Sequence, residues 1–193
     1  MSATTILLVR HGETDWNRER RFQGHADTPL NETGRSQARA LADLLSGHRF
    51  HAVYTSPLRR ASETASIVSA RFALEARELE ALREIDVGDW QGLTVEEVHT
   101  RFPERLDRAW RSGWPNGETH ADLAARVLPA LLELARAHRG ERVLGVTHAG
   151  PIRAALAAAT GLSHEESRAR IGPLENCAVF GFAVRNGNLE RVD

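Results

Sequence analysis

The chain contains no lysine. All 25 of its cationic residues are arginine, balanced by 26 acidic residues for a formal net charge of -1 over 193 residues. Without lysine, neither Schiff-base chemistry nor a phosphate-loop lysine is available. A codon bias toward arginine accounts for most of these positions, yet the guanidinium is also the better fork for a phosphate. The near-zero charge balance argues against a general nucleic-acid surface while leaving room for a local basic pocket. A single cysteine, Cys177, excludes an internal disulfide framework and any cysteine-rich metal site. No cationic leader precedes an apolar stretch at the amino terminus, so no signal peptide is expected. The longest apolar run, Cys177 to Val184, is eight residues and too short to span a bilayer. These absences predict a cytoplasmic protein with neither membrane nor nucleic-acid partners.

Several chemical signatures are also missing. There is no Gly-x-Gly-x-x-Gly fingerprint, no Walker loop and no Gly-x-Ser-x-Gly elbow. His11, Glu13 and Asp15 alternate and His164-Glu165-Glu166 is dense, but neither has a zinc-site spacing, and no His-Glu-x-x-His occurs. Neither a metal nor a cofactor is expected.

What is present reads as one domain over residues 1–193, long enough to bury about 70% of its unfolded surface. Thr4 to Val9 is a continuous apolar run, suited to a strand buried on both faces, and His51–Thr55 and Arg142–Thr147 are similar. Helical spacing is found over Thr33–Ser46, Ser56–Phe72 and from Leu123 to Leu134, and Pro151 opens a further helix through Ala159, with Gly161 beyond it. Cys177–Val184, Asn186-Gly187 and Leu189–Val192 form a hairpin pattern. Strands alternating with helices predict an α/β three-layer αβα sandwich with a mainly parallel central sheet and a C-terminal hairpin. The stretch from about 88 to 118, rich in Trp, Pro and Gly and with a capping box at Thr94-Val95-Glu96-Glu97, reads as a small helical cap insertion.

Ligands of open α/β sheets bind beyond the carboxyl ends of the strands. Here the first strand ends in Arg10-His11-Gly12-Glu13-Thr14 and the second in Thr55-Ser56-Pro57-Leu58-Arg59-Arg60. The third ends in His148-Ala149-Gly150-Pro151, just before a helix. Singly, such a histidine or arginine is a commonplace loop residue. If the three strands are neighbours, two histidines and two arginines converge on one crevice beside a helix amino terminus, which is an anion site.

These residues carry a resemblance to the histidine phosphatase superfamily, the phosphoglycerate mutase-like group. Arg10-His11-Gly12-Glu13-Thr14-Asp15-Trp16-Asn17 resembles its signature, and Phe22 to Leu30, Thr33-Gly34 and Gln37-Ala38 continue it. Ser56-x-Leu58-x-Arg60-Ala61-x-x-Thr64-Ala65, Leu82-x-Glu84 with Gly88, Trp90 and Gly92, and Val146-Thr147-His148-Ala149-Gly150 are further blocks; Asn176 also fits. The resemblance implies a metal-independent phosphomonoester hydrolase acting through a phosphohistidine on a small phosphorylated substrate. His11 is the implied nucleophile, Arg10, Arg60 and His148 the phosphoryl pocket, and Glu84 the acid and then the base. Thr14, Asn17, Gln23 and Gly24 are implied in substrate binding. The chemistry is coherent, because phosphoryl transfer is catalysed mainly by positioning and by fixed charge. Paired arginines would keep His11 neutral. Glu84 must be raised from its usual range to act as an acid at neutral pH, so a mildly acidic optimum is expected.

A departure, Gln91 where many relatives have Glu, touches no implied role; nor does Ala149 for Gly. Mutases of the family have a longer, more basic insertion, so the phosphatase branch, which includes α-ribazole, phosphoserine and broad-specificity phosphatases, is the expectation. A mutase and a catalytically silent binding module are the alternatives, and the oligomeric state is monomer or homodimer. Several cap readings stay open. Arg101, Arg105, Arg108 and Arg111 are a solvated helix face or a rim over an acidic substrate. Glu118 lies at the pocket mouth or at a helix start. Trp90, Trp110 and Trp114 line a pocket or form the small core that pins the cap.

Overall fold

The computed structural model describes residues 3–103, 109 and 113–192. Its strands are β1 (Thr4–Arg10), β2 (Ala52–Thr55), β3 (Ala76–Glu78), β4 (Arg142–Thr147), β5 (Val179–Arg185) and β6 (Asn188–Val192). They form one sheet in the spatial order β3-β2-β4-β1-β5-β6. The first four are mutually parallel, whereas β5 and β6 run antiparallel as the expected hairpin. Its turn residues Asn186 and Gly187 both have positive φ, which the two-residue turn requires. β1 and β4 pair from Thr5↔Arg142 to Arg10↔Thr147, and β4 also pairs with β2. The three strands whose ends carry the histidines and arginines are therefore adjacent.

The described helices include α1 (Asp15–Arg18), α2 (Glu32–Leu44), α3 (Arg59–Ala70), α4 (Val95–Arg101), α5 (His120–Ala137), α6 (Ala149–Thr160) and α7 (His164–Ile171). Leu41 and Ala42 of α2 and Ala61, Ala65 and Val68 of α3 pack on Val9, Val53 and Val146 on one side of the sheet. Leu123, Val127 and Leu131 of α5, with Ile152, Ala155 and Leu156 of α6, pack on Ile6, Leu8 and Phe182 on the other. Alternation along β1 sends Ile6 and Leu8 to one layer and Val9 to the other, so the unbroken apolar run buries both faces, each large side chain contributing about 1.5–3 kcal/mol.

Some expected boundaries move. α6 opens at Ala149, with Pro151 inside its first turn, and α3 at Arg59 because Ser56-Pro57 still belongs to the strand exit. β3 and α7 have too little apolar periodicity to be read from sequence, although Ser163 and Glu166 form a complete capping box on α7. The box at Thr94 and Glu97 is also formed. In the cap, Trp90 is fully buried and packs with Phe22 and Trp114 at ring-centroid separations of 5.6 and 5.5 Å. Trp90 is thus part of the core that pins the cap. Arg101 is exposed in the last turn of α4, while Arg105, Arg108, Trp110 and Arg111 lie outside the described residues. Among the described residues no helix is long and apolar enough to cross a membrane.

Candidate active site

The exits of β1, β2 and β4 bring His11, Arg60 and His148 together. His11 is 2% exposed; its Nδ1 lies 2.7 Å from Gly12 O, and its Nε2 lies 3.2 Å from Arg60 Nε. A guanidinium N–H can only donate and a carbonyl can only accept, so Nδ1 carries the ring proton and Nε2 presents its lone pair. Arg60 is fully buried and places one N–H of each terminal nitrogen on Ala26 O at 2.7 Å and Gly24 O at 2.8 Å, so, with the Nε bond counted, two of its five N–H donors are not used by these bonds. Arg10 is held through Nη1 by Leu174 O, and its Nε is buried with no partner among the described residues. His148 stands 5.1 Å from His11, ring centroid to centroid. Its Nε2 meets Ser56 Oγ at 2.8 Å, and its Nδ1 is likewise without a partner among the described residues.

Close backbone packing delivers His11 to this point. A Cβ on Gly12 would sit 2.5 Å from Gly34 O, and one on Gly34 only 2.1 Å from Glu13 O. The β1 exit and the start of α2 therefore approach this closely only because glycine stands at both positions. Gly12 N donates to Thr64 Oγ1 of α3 at 3.0 Å, and Asn176 Nδ2 donates to His11 O at 2.9 Å.

Glu84 enters from the segment after β3. Its Oε1 accepts from Ile85 N and from Gly150 N, both at 2.9 Å. Thr14 is buried and caps α1: its hydroxyl donates to Asn17 Oδ1, which also accepts from Thr14 N and Asn176 Nδ2. Those bonds occupy the Asn17 carbonyl; Asn17 lines the cavity, whereas Thr14 does not. Thr28 similarly occupies Gln23 Oε1 at 2.6 Å.

Burial is the main electrostatic cause here. It pushes His11 well below the usual imidazole range, helped by Arg60 and Arg10, and does the same to His148, helped by Arg60, His11 and Arg10. Burial also brings Arg60 down to about 10, with Glu84 and Asp27 opposing, so Arg60 remains cationic at neutral pH. The result is two neutral imidazoles between permanent cations. Arg10, His11, Asn17, Gln23, Arg60 and Glu84 open onto one cavity of about 280 Å³, which Phe22, Ile85, Val87 and Trp114 wall on an apolar side. Trp114 thus both lines the pocket and packs in the cap core. Such a chamber can take a phosphoryl group against a ring nitrogen lone pair, with a carboxyl group alongside.

Three features of the site were not legible as such in the sequence. Ser56 is the partner of His148, the Gly150 N–H holds Glu84, and Arg126 reaches the Glu84 segment from α5. Glu118 is neither at the pocket mouth nor in the first turn of α5; it precedes the N-cap Thr119 and pairs with Arg126 Nε at 2.7 Å. The Ser-x-Leu-x-Arg spacing after β2 was the one available signal for Ser56.

The sequence from residue 6 to 192 matches the family model described as histidine phosphatase superfamily (branch 1). The chain belongs to the histidine phosphatase superfamily. Within it, the chain is 36% identical over 168 residues to the uncharacterized phosphatase PhoE of Bacillus subtilis, covering 87% of this chain and 83% of that protein. It is also 36% identical over 173 residues to a 2,3-bisphosphoglycerate-dependent phosphoglycerate mutase of Bartonella henselae, covering 84% of each. A solved mycobacterial glucosyl-3-phosphoglycerate phosphatase complexed with VO3 superposes with a TM-score of 0.88 at 32% identity, covering 97% of this chain and 96% of that one. This histidine phosphatase is a phosphoric monoester hydrolase with an α/β fold, and the mutases are its relatives of alternative activity.

Proposed function

We propose that the chain hydrolyses a small phosphomonoester bearing a second acidic group, by a metal-independent route through a phosphohistidine, in the cytoplasm. The observation that carries the route is the His11 tautomer. Nε2 is an acceptor held beside the Arg60 guanidinium, and Nδ1–H is anchored on Gly12 O. The lone pair of Nε2 attacks phosphorus as the ester P–O bond breaks, and Glu84 gives its proton to the departing oxygen. Glu84, now a carboxylate, then takes a proton from water, whose oxygen attacks phosphorus and breaks the P–N bond, regenerating neutral His11. Arg10, Arg60 and His148 hold the non-bridging oxygens, where charge-assisted N–H donors are strongest.

The second acidic group follows from the charge of the walls. Among the described residues Arg10, Arg21, Arg60, Arg153 and Arg168 all reach the cavity, against one carboxylate, Glu84. Arg21 is paired with Glu19, but Arg153 is 9% exposed and keeps its Nη1 buried without a hydrogen-bond partner among the described residues. The phosphoglycerate-type substrates named for the mycobacterial phosphatase and the Bartonella mutase carry a carboxylate besides the phosphate, which agrees with that reading.

Phosphate release in EDTA from phosphoserine, both phosphoglycerates, α-ribazole phosphate and an uncharged alkyl phosphate tests the proposal, with His11→Ala alongside. Release that vanishes in H11A, with kcat/KM highest for the carboxylated esters, is the expected result. Release that persists in H11A refutes the phosphohistidine route. Interconversion of the phosphoglycerates without release moves the chain to the mutases, and a preference for the uncharged ester removes the second acidic group.

A further inference from the structure

One guanidinium behind the cavity ties down the segment that carries Glu84. Arg126 Nη1 donates to Ala81 O and Arg83 O, both at 2.9 Å, and Nη2 donates to Glu84 O at 2.8 Å. Its Nε and its other Nη2 proton form a fork onto the Glu118 carboxylate at 2.7 and 2.8 Å. All five N–H donors of the side chain are engaged. Glu118 closes the loop: its Oε2 accepts from Asp86 N at 2.9 Å, and its own N–H donates to Asp86 O at 3.0 Å. His25 Nε2 meets Glu84 O from the other side at 2.8 Å.

The segment needs this support. Between β3 and α4 the chain forms only two three-residue 3₁₀ turns, Glu80–Leu82 and Gly88–Trp90. Its carbonyls have no continuous ladder, so side chains must satisfy them. Burial alone would raise Glu118, but the Arg126 hydrogen bond, the Asp86 N–H and the Arg126 charge bring it below the usual carboxylate range, so the pair stays ionised. Neither Arg126 nor Glu118 is among the residues that line the cavity.

We propose that Arg126 and Glu118 are positioning residues for Glu84: the pair fixes the backbone from Ala81 to Asp86 so that the Glu84 carboxyl docks on Gly150 N–H and faces the leaving oxygen. The proposal rests on the reading of Glu84 as the proton donor. Its signature is selectivity for the leaving group. An alkoxide must be protonated as it departs, whereas p-nitrophenolate leaves with little help. A misplaced acid therefore slows alkyl esters and spares the aryl ester, while general loosening of the cap or loss of phosphate binding slows both.

The test compares kcat/KM for glycerol phosphate and p-nitrophenyl phosphate in the full chain and in Glu84→Gln, Arg126→Gln and Glu118→Gln, with melting temperatures recorded. E84Q is expected to lose about 10²–10⁴-fold on glycerol phosphate and far less on p-nitrophenyl phosphate. R126Q should show the same selectivity at about 10–100-fold, and E118Q, which keeps a hydrogen-bonding amide, at about 3–10-fold. Equal losses on both esters in R126Q and E118Q, with E84Q still selective, overturn the positioning role alone. Equal losses in E84Q overturn the acid assignment and the positioning role with it. If R126Q does not fold, the milder E118Q decides by the same criterion.

Discussion

Acidification should destabilise this fold through its two central histidines well before its carboxylates titrate. His11 and His148 are 2% and 0% exposed, and burial, reinforced by Arg60 and Arg10, holds both well below the usual imidazole range. Unfolded, each titrates near a reference value of about 6.5. The unfolded chain therefore takes up protons that the folded one refuses. A base whose folded pKa is depressed contributes stability above the unfolded pKa and loses it as pH falls below. For each such group the loss is RT ln(1 + 10^(6.5 − pH)), under ~0.1 kcal/mol at pH 7.5 and about 1.4 at pH 5.5. The pair thus costs about 2.7 kcal/mol over that interval, a large share of the stability of a domain this size. His164, brought to about 3 by burial and by its neighbours His120, Arg153 and Arg168, acts in the same direction. Glu97 and Glu118 sit below the usual range in the fold, so their contribution begins to fall only near the unfolded value of about 4.3 and is lost as the pH drops through their lower folded values. Urea unfolding in phosphate-free buffer at the two pH values reads the difference, and His148→Gln should remove about half of it. A change below ~1 kcal/mol, or the same change in the variant, would refute neutral burial of the two rings.

Three other substitutions separate chemistry from folding. In Gly150→Ala the new Cβ would lie 2.3 Å from Glu84 Oε1, the mobile end of a side chain; kcat/KM for an alkyl phosphate should fall by about 10²–10⁴-fold with a melting temperature within a few degrees of wild type, and full activity would show that the Gly150 contact is dispensable. Ser56→Ala removes the hydroxyl that, accepting from Leu58 N at 3.2 Å, directs its proton to His148 Nε2; kcat should drop by about 10–10³-fold, with ¹⁵N shifts of His148 showing a mixed tautomer, and an unchanged tautomer would contradict the assignment. Arg60→Lys strands Ala26 O or Gly24 O, and a loss of about 2–4 kcal/mol in urea unfolding together with near-complete loss of activity is expected; retention of both would mean that a point charge suffices.

What the sequence made legible was local to strand ends. Arg10 and His11 directly follow an apolar run, His148 ends another, and Arg60 lies a few residues past a third, so topology alone had to bring them together. The sheet order does so because β4 lies between β1 and β2. The supporting contacts were hidden for a different reason. Arg126 recognises backbone carbonyls 42, 43 and 45 residues away, and carbonyl recognition imposes no residue type on its target. Gly150 acts through an N–H that every non-proline residue has, and its identity matters only because Glu84 approaches so closely. α7 is not legible in the sequence because its exposed, polar faces give no 3.6-residue stripe, and β3 because three residues are too short for alternation to register.

The missing lysine has a second explanation at one position, independent of codon usage. Burial brings Arg60 from 12.5 to about 10, which still leaves it charged throughout the neutral range. A lysine begins about two units lower, near 10.4, and burial would bring it further toward neutrality, with less margin before it loses charge as the pH rises. It would also have to span three directions with one nitrogen, whereas the Arg60 guanidinium meets His11 Nε2, Ala26 O and Gly24 O from three separate nitrogens. The neutrality of His11 and the permanence of Arg60 are therefore one requirement. Burial deep enough to keep the ring unprotonated is tolerable for the adjacent cation only if that cation starts with arginine's margin.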